Sequence, residues 1–203
     1  MNFFDYFQIA SAVTFFLIIA ARTIYMRTAR HINPIVIGRG KRGLVRAAEL
    51  IWFVGLFVWI VEMFLYATHS SFHIFPAPLH MPLVTSELVK LIGISLVAVG
   101  LIVFLLAFVS FGDSWRVGFD TKTPGELVTT GIFAFSRNPI YVFLDLWFLG
   151  IFLINGTLLF LVFAILAFAV VHWQIRQEEV YLSKLYGQPY HEYLSRTKRY
   201  VGV

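Results

Sequence analysis

The residues best suited to chemistry fall in two short clusters. Arg137-Asn138-Pro139-Ile140-Tyr141 sets a cation, a carboxamide and a phenol close together, and some forty positions later come Gln174, Arg176, Glu178 and Glu179. An arginine, a tyrosine and paired carboxylates can hold a ligand bearing charges of both signs and can move a proton. Taken singly, Arg137 reads as a charge anchoring a helix end and Glu178-Glu179 as a solvated helix face. Glu62 and Asp145 are acids inside apolar runs, where ionisable groups are costly. Asp145 follows Tyr141 by one helical turn and shares its face, whereas Glu62 reads first as a structural acid, protonated or hydrogen-bonded between helices. His69, His73 and His80 include an i, i+4 pair, but Ser70-Ser71 and Pro76-Ala77-Pro78 flank them and no carboxylate accompanies them nearby. They read as a solvated loop, and no metal site is expected.

The elements that must position these residues follow from composition. Of 203 residues 59% are hydrophobic and 13% charged, with a mean hydropathy of +0.80. That apolar share exceeds the ordinary soluble range of roughly 45–50%, which excludes a water-soluble globular domain. The 22 phenylalanines exclude a disordered chain. Cysteine is absent, and with it disulfides, thiolate metal sites and cysteine nucleophiles.

A bilayer core needs about 20 helical residues. Apolar runs of that order cover about 5–26, 47–68 and 88–111, followed by a pair, 139–154 and 157–173, divided by Asn155-Gly156. The expectation is an all-α polytopic membrane protein with five transmembrane helices. The first run has no Lys or Arg before it and Arg22, Arg27 and Arg30 at its end, the reverse of a secretory signal, so it reads as an anchor. Basic and uncharged connections alternate. Arg27, Arg30, Arg39, Lys41, Arg42 and Arg46 follow the first span; none lies in 69–87; Arg116, Lys122 and Arg137 follow the third; none lies in the Asn155-Gly156 turn; five fall in the tail. The N-terminus is therefore expected outside and the C-terminus in the cytoplasm. Topology and attraction to anionic lipids account for the formal charge of +5, so no nucleic-acid partner is expected.

One structural domain is expected, a three-span region over 1–111 joined to a loop, helical hairpin and cytoplasmic helices over 112–203. The 112–138 connection is long, polar and glycine-containing, the kind of loop that is usually functional. The last span continues as helix until Gly187 and Pro189, about 45 Å in all, and a short amphipathic helix over about 190–198 lies on the membrane surface or folds back over the long loop. A hairpin returns the chain to the side it left. The two polar clusters should therefore share one membrane interface and line a cleft open to cytoplasmic solutes and sideways to lipid.

Gly131-Ile132-Phe133-Ala134-Phe135-Ser136-Arg137-Asn138-Pro139-Ile140-Tyr141, followed after the hairpin by Glu178-Glu179 and Leu185-Tyr186-Gly187-Gln188-Pro189-Tyr190, resembles the isoprenylcysteine carboxyl methyltransferase family and the related phospholipid methyltransferases. The resemblance implies methyl transfer from S-adenosylmethionine to a lipophilic acceptor entering from the inner leaflet, with a cofactor pocket at the cytoplasmic face and a multi-pass location in the inner membrane. Carried over by position, Glu126, Leu127, Val128, Gly131, Phe133, Asn138, Pro139, Tyr141 and Glu178 are its expected cofactor residues, and Arg137, Arg176 and Glu179 its catalytic ones. Two departures stand out: Asn138 replaces the histidine of the prenylcysteine enzymes, and Gln174 stands where a substrate-side arginine belongs. Arg176, about 200° around the helix from Gln174, cannot simply substitute.

Methyl transfer from a sulfonium needs alignment and exclusion of water rather than a metal. A carboxylate acceptor is already ionised and needs only an orienting arginine, whereas an amine or thiol must lose a proton, for which Glu179, Asp145, His172 and Tyr141 are candidates. The missing arginine weighs against a carboxylate acceptor. An NADPH-dependent reductase of the steroid-reductase type and a non-catalytic assembly or sensor protein are the competing readings.

Overall fold

The computed structural model describes residues 1–35, 43–115 and 125–202. Arg39, Lys41, Arg42, Arg116 and Lys122, and the Thr123-Pro124 part of the long connection, lie outside them. Six α-helices make up the described chain: α1 (Phe3–Ala29), α2 (Gly43–Ala67), α3 (Glu87–Phe111), α4 (Pro139–Asn155), α5 (Leu158–Tyr186) and α6 (Gln188–Arg196). Among the described residues four stretches are long and apolar enough to cross a membrane: α1, Glu49–Ala67 within α2, α3 and α5. The chain is thus a helical, multi-pass membrane protein. The expected fifth span, α4, is equally apolar but has 17 residues, about 25 Å at 1.5 Å per residue and so shorter than a bilayer core.

The helix ends carry their reasons in the sequence. Asn2 caps α1, its side chain accepting from the Phe4 and Asp5 amides while Asp5 accepts from the Asn2 amide at 2.6 Å, a reciprocal capping box. Pro139 opens α4, where its missing N–H leaves nothing unpaired. Gly156 ends α4 at φ +65°, and a Cβ there would lie 1.9 Å from the Val84 carbonyl. The close approach lets the Gly156 carbonyl accept from the amides of Leu83 (2.7 Å) and Val84 (3.0 Å), which ties the segment before α3 to the α4–α5 turn.

Helices α3 and α4 pack almost backbone to backbone. A Cβ on Gly93 would meet the Gly150 carbonyl oxygen at 2.6 Å, and one on Gly150 would meet Val97 at 2.6 Å. The glycines of α3 therefore serve contact within the chain. Around this seam the core is aromatic: Phe15 of α1 packs on Trp147 of α4 at 4.9 Å, and Trp59 of α2 on Phe148 at 4.1 Å. Such pairs add to the burial of apolar area and hold α1 and α2 against α4.

After α6 the chain folds back over the remainder of the long connection. The Gly202 amide donates to Phe135 O at 2.9 Å and the Arg137 amide to Lys198 O at 3.1 Å. Tyr190 and Tyr193, both buried, pack with Phe133 and Ala107, flanked by Leu127 and Val128. Of the two expectations for the last helix, the fold back over the long connection is the one this packing shows.

Candidate functional site

The site is built where α4 begins and α5 leaves the apolar core. The three-residue path from Ser136 to Asn138 is fixed from two sides. The Asn138 amide donates to Ser136 Oγ at 3.1 Å, and the Asn138 carboxamide donates to Arg199 O at 3.0 Å. Just upstream, Gly131 takes φ +61° against Ser110, whose hydroxyl oxygen a Cβ would meet at 2.3 Å. Tyr193 O–H donates to Phe133 O at 2.6 Å. The tail thus clamps the loop that presents Arg137.

Arg137 and Glu178 line one cavity of about 220 Å³. Its polar wall consists of these two, Asn138, Tyr141, Gln174 and Glu49, and the remainder is mainly aromatic, including Trp52, Phe104, Trp115, Phe133 and Phe143. Tyr141 O–H donates to Glu178 Oε2 at 2.9 Å, so the α4 and α5 residues meet across the hairpin as their spacing implied. Arg137 is held by an ion pair from Nη2 to Glu179 Oε1 at 3.1 Å, and Arg199 completes the network with a fork onto the same carboxylate, its Nη2 to Oε2 at 2.7 Å. That pairing keeps the Arg199 guanidinium above its ordinary range. The Nε of Arg137 is buried without a hydrogen-bond partner among the described residues.

Of the expected site residues, Phe133, Arg137, Asn138, Pro139, Tyr141 and Glu178 come together on the cavity wall. The others do not. Glu179 faces the two arginines beside the cavity, Glu126 is exposed, Leu127 and Val128 pack under Tyr190 and Tyr193, and Gly131 shapes the loop. Arg176 is exposed on the opposite side of α5, where its Nε donates to His172 at 3.1 Å, while Gln174 lines the cavity. The turn of about 200° between positions 174 and 176 has this consequence.

Two participants escaped the sequence reading. Glu49 of α2 is buried and lines the cavity, although it lies next to a run of loop charges and far from either motif. Arg199 was one tail charge among five. A second, more apolar cavity of about 620 Å³ lies between α2 and α5 and shares Glu49, Trp52, Leu56, Gln174 and Glu178 with the first. Polar site and apolar cleft are thus adjacent, with these five residues on the wall between them.

Residues 88–189, from the start of α3 to the start of α6, match the family model described as phospholipid methyltransferase, just over half of the chain. The chain belongs to the phospholipid methyltransferase family. The match spans Arg137, Tyr141, Glu178 and Glu179 and leaves α1 and α2, with Glu49, outside it. No curated protein matches the chain at a significant level. Membership in this family makes the chain a membrane methyltransferase.

Proposed function

We propose that the chain transfers a methyl group from S-adenosylmethionine to the amine of a lipid headgroup, at a site in the cytoplasmic leaflet of the inner membrane. The observation that carries the reading is the shared cavity of Arg137, Tyr141 and Glu178, which adjoins an apolar cleft between α2 and α5.

The residues fit the donor. Arg137, with an Nε that has no partner among the described residues, suits its carboxylate. Glu178, oriented by Tyr141, suits the ammonium or the ribose hydroxyls. The aromatic wall favours a sulfonium by cation–π attraction, worth about 0.5–2 kcal/mol. When bound, the donor supplies an activated methyl whose S–CH₃ bond breaks as the bond to nitrogen forms.

The chain's own part is to orient and to take a proton. Glu179, pinned between Arg137 and Arg199, positions Arg137. Glu49, at the junction of cavity and cleft, is placed to attract an ammonium and accept its proton, leaving a neutral amine to attack. Gln174, in place of a cation, favours an amine over a carboxylate. The 620 Å³ cleft takes the acyl chains, so the acceptor never leaves the bilayer.

The test is incubation of the purified chain with labelled S-adenosylmethionine and vesicles containing phosphatidylethanolamine, or a prenylated cysteine in its place. Label on the amine lipid is expected. Label on the prenylcysteine alone would overturn the acceptor assignment, and binding of NADPH in place of S-adenosylmethionine would overturn the reaction class.

A further inference from the structure

The opposite end of the bundle carries a second polar cluster, outside the family match and independent of the methyl-transfer reading. Glu62, near the end of α2, is wholly buried. The segment between α2 and α3 folds over it: His73 Nδ1–H donates to Glu62 Oε1 at 2.9 Å and the Ile74 amide to Oε2 at 3.0 Å. His80 lies beside His73, their ring centroids 4.6 Å apart and their planes tilted by 44°. One carboxylate oxygen and one nitrogen from each ring all lie within 4.8 Å of one another. The expectation of a solvated histidine loop lacking a carboxylate is corrected here, because the fold returns the loop to an acid 11 residues upstream of His73.

We propose that Glu62, His73 and His80 form a binding site for zinc. The donor set, two imidazoles and a carboxylate without thiolate, is one that zinc accepts, with nitrogen and oxygen distances of about 2.0–2.2 Å. The surrounding bonds already orient the ligands in the manner of an outer shell. His80 Nε2–H donates to Phe75 O at 2.9 Å, which fixes the tautomer and leaves Nδ1 as the lone-pair atom, now accepting from the Tyr66 hydroxyl. The Ile74 amide anchors one Glu62 oxygen and leaves the other for the ion. On zinc binding the His73 proton shifts from Nδ1 to Nε2, which frees Nδ1 and Glu62 Oε1 for the ion, and the Tyr66 hydroxyl is displaced from His80. An exposed edge on His73, whose side chain is 28% accessible, admits the ion. Bound there, it clips the segment between α2 and α3 onto the buried Glu62 carboxylate.

The test is titration of the chelator-stripped full chain in detergent with zinc chloride, followed by X-ray absorption at the zinc edge. The expected result is one zinc per chain with imidazole scattering in the spectrum. His73→Ala, His80→Ala and Glu62→Gln should each weaken binding at least tenfold, and His191→Ala, at the other end of the molecule, should leave it unchanged. The spectrum of the unaltered chain bears on the proposal even where a variant fails to fold. Absence of saturable uptake, a spectrum without imidazole, or uptake undiminished in His73→Ala would overturn it.

Discussion

The two ends of the helix bundle solve the same problem in opposite ways. At both, acidic side chains are buried among apolar helices, where an unpaired charge is expensive. At the Arg137 end the charges stand around an open cavity, and Arg137 Nε has no partner among the described residues. At the Glu62 end the carboxylate and two histidines close on one another, the carboxylate anchored by a backbone amide and His80 by a carbonyl. An open arrangement leaves valences for a large ligand and a methyl acceptor. A closed one has room for a proton or a single ion. The difference between the two ends is local, set by side chains and by the segments that cap each end.

The variants that would break this comparison differ in size of effect. Glu49→Gln should lower methyl transfer to an amine lipid by about a hundredfold, the low end of the range for a general base, with S-adenosylmethionine binding retained; an unchanged rate at saturating donor would remove Glu49 from the reaction. Glu179→Gln should weaken donor binding about tenfold by releasing Arg137, with partial rescue by Glu179→Asp, and neither should alter zinc uptake at the far end. Gly150→Ala drives a Cβ to within 2.7 Å of the Gly93 carbonyl oxygen. Overpacking of this kind costs about 1–3 kcal/mol, and a lowered midpoint of thermal unfolding, read by circular dichroism in detergent, should accompany losses at both ends.

The smallest effect sharpens the clamp at the Arg137 end. Burial pushes the Tyr193 phenol up to about 12, against the opposing pull of Arg137 and Arg196. A folded-state value above the ordinary value of about 10 means its stabilisation is full below pH 10 and is lost as pH rises toward 12. Tyr193→Phe should cost about 1 kcal/mol at neutral pH through the lost bond to Phe133 O and should flatten the decline between pH 10 and 12 in a chemical-denaturation series.

Much of the frame was legible in the sequence because apolar run length and turn chemistry are local. The starts and ends of α3, α4 and α5 follow Glu87, Pro139, Gly156 and Gly187 closely. The meeting of Tyr141 with Glu178 was also legible, since a hairpin brings both ends of its helices to one level. Glu49 was not, because nothing periodic relates the start of α2 to the α4–α5 hairpin. Glu62 with His73 and His80 was missed for a similar reason: an irregular segment rich in proline has no repeat from which its return path can be read. Arg199 was visible only as charge, and its fork onto Glu179 depends on the tail folding back.

The central claim is that the Arg137–Glu178 cavity holds the methyl donor. Equilibrium titration of the full chain in detergent with S-adenosylmethionine, alongside Glu178→Ala and Glu62→Gln, tests it most directly. Saturable binding by the unaltered chain and by Glu62→Gln, with a loss of at least tenfold in Glu178→Ala, is the predicted result; undiminished binding by a folded Glu178→Ala chain would contradict it.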